Sequence, residues 1–146
     1  MRAVLWDLDG TLADSREFHW RSWRDTMADA GEPITYEQFL ASFGQRNDAI
    51  LTKWLGPRAT PARCVQIGDD KEALSRRLIQ AEGIAPLPGA AEWVARLQAQ
   101  GWRQAIASSA PRANVEVMAN VLGLRAAMGA LVSAEDVTRG KPAPDV

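Results

Sequence analysis

The sequence predicts an α/β fold in which parallel strands alternate with helices. Three short apolar runs, at 3–8, 103–107 and 130–133, have the length and composition of buried strands. Apolar residues at helical spacing precede the second run at 89–100, and a second helical pattern at 111–123 separates it from the third. Strands that alternate with helices form βαβ units, so we expect the three strands to lie parallel in one sheet.

A long helical block interrupts this alternation between the first and second apolar runs. Residues 15–84 show helical patterns almost throughout, which is far more chain than one crossover helix needs. Asp14 and Glu17 have the spacing of a capping box, which predicts a helix start at the beginning of the block. We therefore expect a helical cap at 15–84, inserted into a sheet-containing core formed by 1–14 and 85–146.

Glycines and prolines divide the block into several helices. The first helix is expected to end at Gly31, and two shorter helices are predicted at 36–43 and 48–55. A longer helix is predicted at 60–82. Gly68 is a candidate break in this helix, because glycine weakens a helix interior.

Composition and charge exclude several classes of function. The chain has 146 residues, 17 of them Lys or Arg and 18 Asp or Glu, so no broad basic field indicates a nucleic-acid partner. No apolar run reaches about 18 residues, and Asp7 comes too early for a signal peptide, so no membrane partner is expected. The single cysteine, Cys64, fits a reducing compartment and therefore a cytoplasmic location. The sequence leaves the oligomeric state open.

The first apolar run ends in a string of residues that can carry phosphoryl-transfer chemistry. Asp7 and Asp9 stand at its carboxyl end, where open α/β sheets bind ligands, and Gly10 lets the chain turn back over the site. One carboxylate can attack phosphorus while the other moves a proton, and a cation such as Mg²⁺ can hold the phosphate against the negative nucleophile. A plain turn after a strand-end aspartate would give the same string.

Two later strand ends offer groups that suit an anion. Ser108 follows the second run and precedes Pro111, so a hydroxyl and free N–H groups meet at a helix start. After the third run, prolines in 139–145, including Pro142, stiffen the backbone around Lys141. A routine helix cap and a solvated surface lysine are the alternatives. The occurrence of these features together, in this order at three strand ends, favours a shared phosphate site.

These motifs resemble the first three motifs of the haloacid dehalogenase superfamily, over the whole chain and including the helical cap. The resemblance implies a Rossmannoid parallel sheet, with Asp7 as the nucleophile that becomes an aspartyl phosphate and Asp9 as general acid and base. Ser108 would bind the transferring phosphate, and Lys141 would bridge it to Asp7. Mg²⁺ would bind the Asp7 carboxylate and the Asp9 backbone carbonyl.

More narrowly, Asp14-Ser15 followed by His19 and Trp23 is similar to the β-phosphoglucomutase-like branch. Arg46 resembles the cap arginine that meets a substrate's distal phosphate, and Lys71 resembles a cap lysine facing the cleft. A solvated helix face is the alternative for all three of His19, Arg46 and Lys71. The expected substrate-binding residues are Gly10, Thr11, His19, Arg46, Lys71 and Ser109.

The family's fourth motif is an acidic pair that completes the Mg²⁺ site downstream of the lysine. The sequence ends at Val146, five residues past Lys141, so we expect the given chain to stop before that motif and to be nearly inactive alone. Asp69 and Asp70 imitate the motif, but they precede the second and third motifs and continue directly into a helical pattern. We expect them not to bind metal.

Three functions remain in competition. The leading one is an Mg²⁺-dependent phosphatase of a small phosphorylated metabolite, of the sugar-phosphate type. A phosphomutase of the β-phosphoglucomutase type shares the same motifs and differs in whether water or a sugar hydroxyl accepts the phosphate. A non-catalytic phosphate-binding module would follow if the chain truly ended at Val146.

Overall fold

The sheet consists of three parallel strands, as the sequence predicts. The computed structural model describes residues 2–141 and 143–146. The strands are β1 (Ala3–Trp6), β2 (Arg103–Ala107) and β3 (Ala130–Val132), and they lie in the order β1-β2-β3. The α/β fold class predicted from the sequence is therefore confirmed.

The register of the strands brings the sequence motifs to one edge of the sheet. Trp6 lies opposite Ile106, and Ile106 lies opposite Leu131. Because all three strands run in the same direction, Asp7 and Ser108, which follow β1 and β2, leave the sheet on the same side. This edge is where parallel α/β sheets ordinarily bind ligands.

In the described residues, four α-helices form the block after β1, a fifth precedes β2, and a sixth lies between β2 and β3. They are α1 (Arg16–Asp29), α2 (Tyr36–Leu40), α3 (Asn47–Leu55), α4 (Pro61–Glu82), α5 (Ala90–Ala99) and α6 (Arg112–Val121). The break suggested at Gly68 does not occur, since α4 is continuous. A Cβ atom at Gly68 would meet Asn47 and Leu51 of α3 at 3.8 Å, so this residue marks a close helix–helix approach. Within the described residues, no helix is long and apolar enough to cross a membrane.

The start of the first helix differs from the prediction. Helix α1 begins at Arg16 with Ser15 as its N-cap residue, and no side chain caps the helix end. The capping box predicted from Asp14 and Glu17 is therefore wrong. The Ser15 hydroxyl donates its hydrogen bond to Asp9 instead, so this position serves the strand-end motif rather than the helix.

The buried apolar side chains form two clusters. One cluster lies against the sheet and includes Leu8, Leu12, Ile106, Val115 and Leu131. The other lies among the helices of the block and includes Trp23, Met27, Phe39, Leu51 and Ile67. Helix α4 contributes to both, because Ile79 near its end packs into the sheet cluster. The division into a cap at 15–84 and a core formed by the rest of the chain remains a prediction, with which these two clusters agree.

Candidate active site

The carboxyl ends of the strands and the helical block enclose a cavity of about 90 Å³. Residues predicted from the sequence that line it are Asp7, Asp9, His19, Lys71, Ser108, Ser109 and Lys141. Side chains of the block that the sequence did not single out also line it, among them Phe39, Phe43, Asn47 and Glu72. Residues far apart in the chain are thus gathered around one space.

An ion pair between Asp7 and Lys141 lies at one side of the cavity. The Lys141 ammonium donates to Asp7 Oδ1 over 2.7 Å and to the carbonyl oxygen of Ala107 over 2.9 Å. These two acceptors fix the ammonium beside the carboxylate, whose side chain is 47% exposed. The positive charge offsets the repulsion that a carboxylate exerts on an approaching phosphate. Pro142, which accompanies Lys141 in the sequence motif, lies outside the described residues.

A tight turn carries Asp9 over the site. Gly10 adopts a φ of 79°, a left-handed conformation that glycine adopts without steric cost, and its N–H donates to the carbonyl oxygen of Ala13 over 2.8 Å. The turn leaves the Asp9 carboxylate facing the start of α1. There it accepts hydrogen bonds from the Ser15 hydroxyl and from Nε2 of His19, the latter over 3.0 Å.

These contacts determine the charge of Asp9. Burial alone would raise the pKa of the Asp9 carboxyl. Electrostatic and hydrogen-bonding interactions with His19, the hydrogen bond from Ser15 and the charge of Lys71 outweigh burial and lower the pKa to about 2. Asp9 is therefore ionised at neutral pH in this arrangement.

Lys71 fixes the tautomer of His19. The Lys71 side chain is only 1% exposed, and its ammonium lies 2.9 Å from His19 Nδ1. An ammonium can only donate, so Nδ1 accepts and the ring hydrogen lies on Nε2, where it is donated to Asp9. His19 is therefore held between a buried cation and a carboxylate.

The buried charge of Lys71 is balanced by its neighbour Glu72. The Lys71 ammonium donates to Glu72 Oε1 over 2.8 Å, and Asn47 donates to the same oxygen over 2.8 Å. Asn114 of α6 donates to Glu72 Oε2. Burial alone would raise the pKa of Glu72, but the charge of Lys71 and the hydrogen bonds from Lys71 and Asn47 hold that pKa below its ordinary range. Sequence reasoning missed Glu72, Asn47 and Asn114.

The serine motif forms the wall opposite the block. Ser108 is buried, and its N–H donates to the carbonyl oxygen of Val132 over 2.9 Å, which ties the end of β2 to β3. Its hydroxyl oxygen accepts from the N–H of Ala110 over 3.0 Å. A hydroxyl that accepts one bond can still donate its own hydrogen, here to an anion in the cavity. Ser109 follows it along the same wall.

Three of the predicted substrate-binding residues lie outside the lining of the cavity. Gly10 and Thr11 are exposed in the turn after β1. Arg46 lines a wider groove next to the cavity, with its Nε 3.4 Å from Asp48, and its side chain packs against Gly140 so closely that any Cβ there would collide. Contact between these three residues and a substrate stays a prediction.

Oxygen donors for a divalent cation are few in the described part of the chain. There, no group of three or more His, Cys, Asp or Glu residues is positioned to hold a metal ion. Asp69 and Asp70 lie on the exposed surface of α4 and do not line the cavity. The family resemblance assigns Mg²⁺ to the Asp7 carboxylate and the Asp9 backbone carbonyl. This donor set fits Mg²⁺, which commonly takes one or two carboxylates together with waters and substrate phosphate.

Comparison with known proteins identifies the family. A family model for haloacid dehalogenase-like hydrolases matches residues 1–146. The chain is 29% identical to protein CbbY of Rhodobacter capsulatus, over 100% of this chain and 68% of that protein. It is 32% identical to hexitol phosphatase B of Escherichia coli strain K12, over 99% of this chain and 65% of that protein.

A solved structure shares the fold across nearly the whole chain. It is a CbbY variant from Rhodobacter sphaeroides in complex with xylulose-(1,5)-bisphosphate, with a TM-score of 0.87 and 25% identity, covering 99% of this chain and 68% of that one. The chain thus spans about two thirds of the length of these relatives. From the family model and the fold together, this chain belongs to the haloacid dehalogenase-like hydrolases.

Proposed function

We propose that the protein is a phosphatase of a small phosphorylated metabolite, of the sugar-phosphate type, and that it works through an aspartyl phosphate at Asp7. The observation that carries the proposal is the pairing of the Asp7 carboxylate with the Lys141 ammonium, beside a second carboxylate on the following turn. The names of the relatives support it, since one is a hexitol phosphatase and another was crystallised with a sugar bisphosphate.

The chemistry takes two steps. In the first, an Asp7 carboxylate oxygen forms a bond to phosphorus while the bond from phosphorus to the substrate oxygen breaks, and a protonated Asp9 gives its proton to that leaving oxygen. In the second, water attacks the same phosphorus, its proton passes to Asp9, and the bond to Asp7 breaks to release phosphate. Ser108 and Lys141 hold the phosphoryl oxygens by hydrogen bonding and charge.

The state of Asp9 fits the second step directly. With a pKa of about 2 it is ionised at neutral pH and can accept the proton of the attacking water. For the first step it must carry a proton. A phosphate dianion entering beside Asp9 raises the pKa of its carboxyl, because like charges disfavour ionisation.

Mg²⁺ is part of this proposal. The Asp7 carboxylate and the Asp9 backbone carbonyl would hold it, and when bound it would neutralise phosphoryl charge and orient the group for attack. The composition of the chain, with one cysteine, fits a cytoplasmic location. The cavity of about 90 Å³ is far below the roughly 300–1,000 Å³ of ordinary ligand sites, which favours a small substrate and a cap that moves to admit it.

The decisive experiment is Asp7→Asn in the complete protein, with Asp14→Asn as the matched control. Asp14 is exposed and lies near the same turn, so the control should keep near-normal turnover. Asp7→Asn keeps the shape but removes the attacking charge, and we expect phosphate release to fall by several orders of magnitude. The wild type, quenched in acid during turnover, should show a covalent phosphoryl group by mass spectrometry.

Two outcomes would contradict the proposal. Near-normal turnover by Asp7→Asn would exclude this residue as the nucleophile. A sugar phosphate isomer as the main product, in place of inorganic phosphate, would show that a sugar hydroxyl accepts the phosphoryl group and that the protein is a phosphomutase.

A further inference from the structure

The side-chain amide of Asn114 is held between two charged residues of the helical block. Arg76 donates from Nη1 to Asn114 Oδ1 over 2.6 Å, and Asn114 Nδ2 donates to Glu72 Oε2. Asn114 is only 2% exposed, and Glu72 is also buried. Hydrogen bonds to charged partners in such an environment are strong, and leaving one unmade is costly. We refer to Glu72, Arg76 and Asn114 as the amide clasp.

The amide clasp joins two elements that bear on the proposed chemistry. Asn114 lies in the first turn of α6, directly after the segment that carries Ser108 and Ser109. Glu72 and Arg76 are one turn apart on α4, which also carries Lys71 and therefore reaches His19. The clasp therefore joins α4, which carries Lys71 and so reaches His19, to α6, which follows the segment with Ser108 and Ser109.

The same residues also separate two spaces. Asn47 and Glu72 line both the small cavity and a groove of about 820 Å³ that runs between the block and the start of α6. Asn47 donates to Glu72 over 2.8 Å, and Glu72 continues to Asn114 through the clasp. This row of hydrogen bonds lies between the cavity of about 90 Å³ and the groove of about 820 Å³.

We propose that Glu72, Arg76 and Asn114 are positioning residues that latch the helical block onto α6, closing the small cavity toward the groove and opening to admit substrate. The inference rests on the proposed function, because the cavity that the latch closes is the one assigned to phosphoryl transfer. None of the three residues touches a reacting atom. They act by holding Lys71 and its contact to His19 over the site.

The polarity of the clasp makes the proposal testable by exchange of donors and acceptors. Glu72 can only accept and Arg76 can only donate, so the Asn114 amide has one orientation that satisfies both. Asn114→Asp places an acceptor against an acceptor. In Glu72→Gln the new NH₂ group faces a donor whichever way it turns: the Asn114 amide on one side, or Lys71 and Asn47 on the other. The double variant restores every hydrogen bond of the clasp, because the new amide at position 72 donates to the new carboxylate at position 114, which also accepts from Arg76. It moves the buried carboxylate from position 72 to position 114 and so keeps one negative charge in the cluster with Lys71 and Arg76.

The experiment compares Glu72→Gln, Asn114→Asp and the double variant in the complete protein. Spin labels on the exposed positions Lys53→Cys of α3 and Gln98→Cys of α5, introduced together with Cys64→Ser, report the distance between block and core. Each single variant should shift the distance distribution to longer values and lower kcat/KM about tenfold, the size of one lost charge-assisted hydrogen bond. The double variant should recover both to within about threefold of the wild type.

The controls separate a latch from a purely structural contact. Asn120→Asp makes the same chemical change at an exposed position of α6 and should leave distance and kinetics unchanged. The proposal fails if the double variant is no better than the worse single variant. It also fails if thermal stability falls and recovers across the series while distance and kcat/KM stay constant. Because the distances are measured without turnover, they decide this inference even if Asp7→Asn proves active.

Discussion

Lys71 offers the sharpest test of the electrostatics of the site. Its ammonium is almost wholly buried, donates to Glu72 over 2.8 Å and to His19 over 2.9 Å, and lies 5.1 Å from the centre of the Trp23 ring. Lys71→Met keeps most of the apolar stem and removes the charge. Glu72 would then remain as a buried carboxylate without its cation.

The expected loss of stability follows from that buried charge. Removing one partner of a buried ion pair typically costs about 3–5 kcal/mol, because the other partner stays desolvated. Glu72 keeps its hydrogen bonds from Asn47 and Asn114, so we expect the lower end, about 3 kcal/mol. Lys53→Met is the matched control. Lys53 is exposed on α3, and its loss should change the free energy of unfolding by no more than about 0.5 kcal/mol.

The stability cost of Lys71→Met should depend on pH, and the direction follows from the pKa of Glu72. In the wild type the charge of Lys71 opposes burial and holds the pKa of Glu72 below its ordinary range. Without Lys71, burial prevails and the folded-state pKa of Glu72 rises above its unfolded value, so the folded variant binds a proton more readily than the unfolded chain. The cost of Lys71→Met should therefore shrink as pH is lowered from 7 to 5.

The assay is urea unfolding of wild type, Lys71→Met and Lys53→Met at pH 7 and pH 5. Nitrogen NMR of His19 adds a second readout, because the Nε2–H tautomer fixed by Lys71 should give way to a mixture in the variant. Equal losses of unfolding free energy in Lys71→Met and Lys53→Met would refute the argument. A cost for Lys71→Met that did not change with pH would refute it as well.

Two further predictions concern the carboxylates. Asp9→Asn should reduce turnover by about 10² to 10⁴ for substrates with poor leaving groups and less for p-nitrophenyl phosphate in the phosphorylation step; equal losses in that step would count against an acid role. Asp69→Asn combined with Asp70→Asn should leave the Mg²⁺ requirement of the complete protein unchanged, because both carboxylates lie on the exposed surface of α4. A large rise in the Mg²⁺ concentration needed for activity would show that the pair binds metal.

The sheet and its catalytic edge could be predicted because local signals mark them. Each strand is a short apolar run, and in each case polar residues follow within a few positions of its end. Once the strands are parallel, their carboxyl ends must meet, so Asp7 and Ser108 come together without any knowledge of side-chain packing. The position of Lys141 followed in the same way from its place after β3.

The contacts of the block could not be predicted in the same way. The pattern of α4 contains a usable signal, since Gly68, Lys71, Glu72, Ser75 and Ile79 recur at helical spacing and all are buried. That stripe indicates that Lys71 and Glu72 face inward. It does not indicate which partners they meet, because Asn47 and Asn114 lie on other helices and no local rule connects them. The capping box predicted from Asp14 and Glu17 failed because the helix begins one residue later, with Ser15 as its N-cap residue. The Ser15 hydroxyl donates to the Asp9 carboxylate, a contact that no local rule predicts.

Lys71 and Glu72 are neighbours on one helix, and this adjacency couples two parts of the proposed mechanism. Lys71 sets the tautomer of His19 and thereby the hydrogen bond to Asp9, while Glu72 holds Lys71 in place and closes the clasp with Asn114. A helix turn is stiff, so α4 cannot release Asn114 without disturbing the ammonium that faces His19. Opening the cavity would therefore also loosen the contact by which Lys71 orients His19 on Asp9, and closing it would restore that contact. In the proposed mechanism, closure of the latch and alignment of the acid/base group are therefore coupled through one helix.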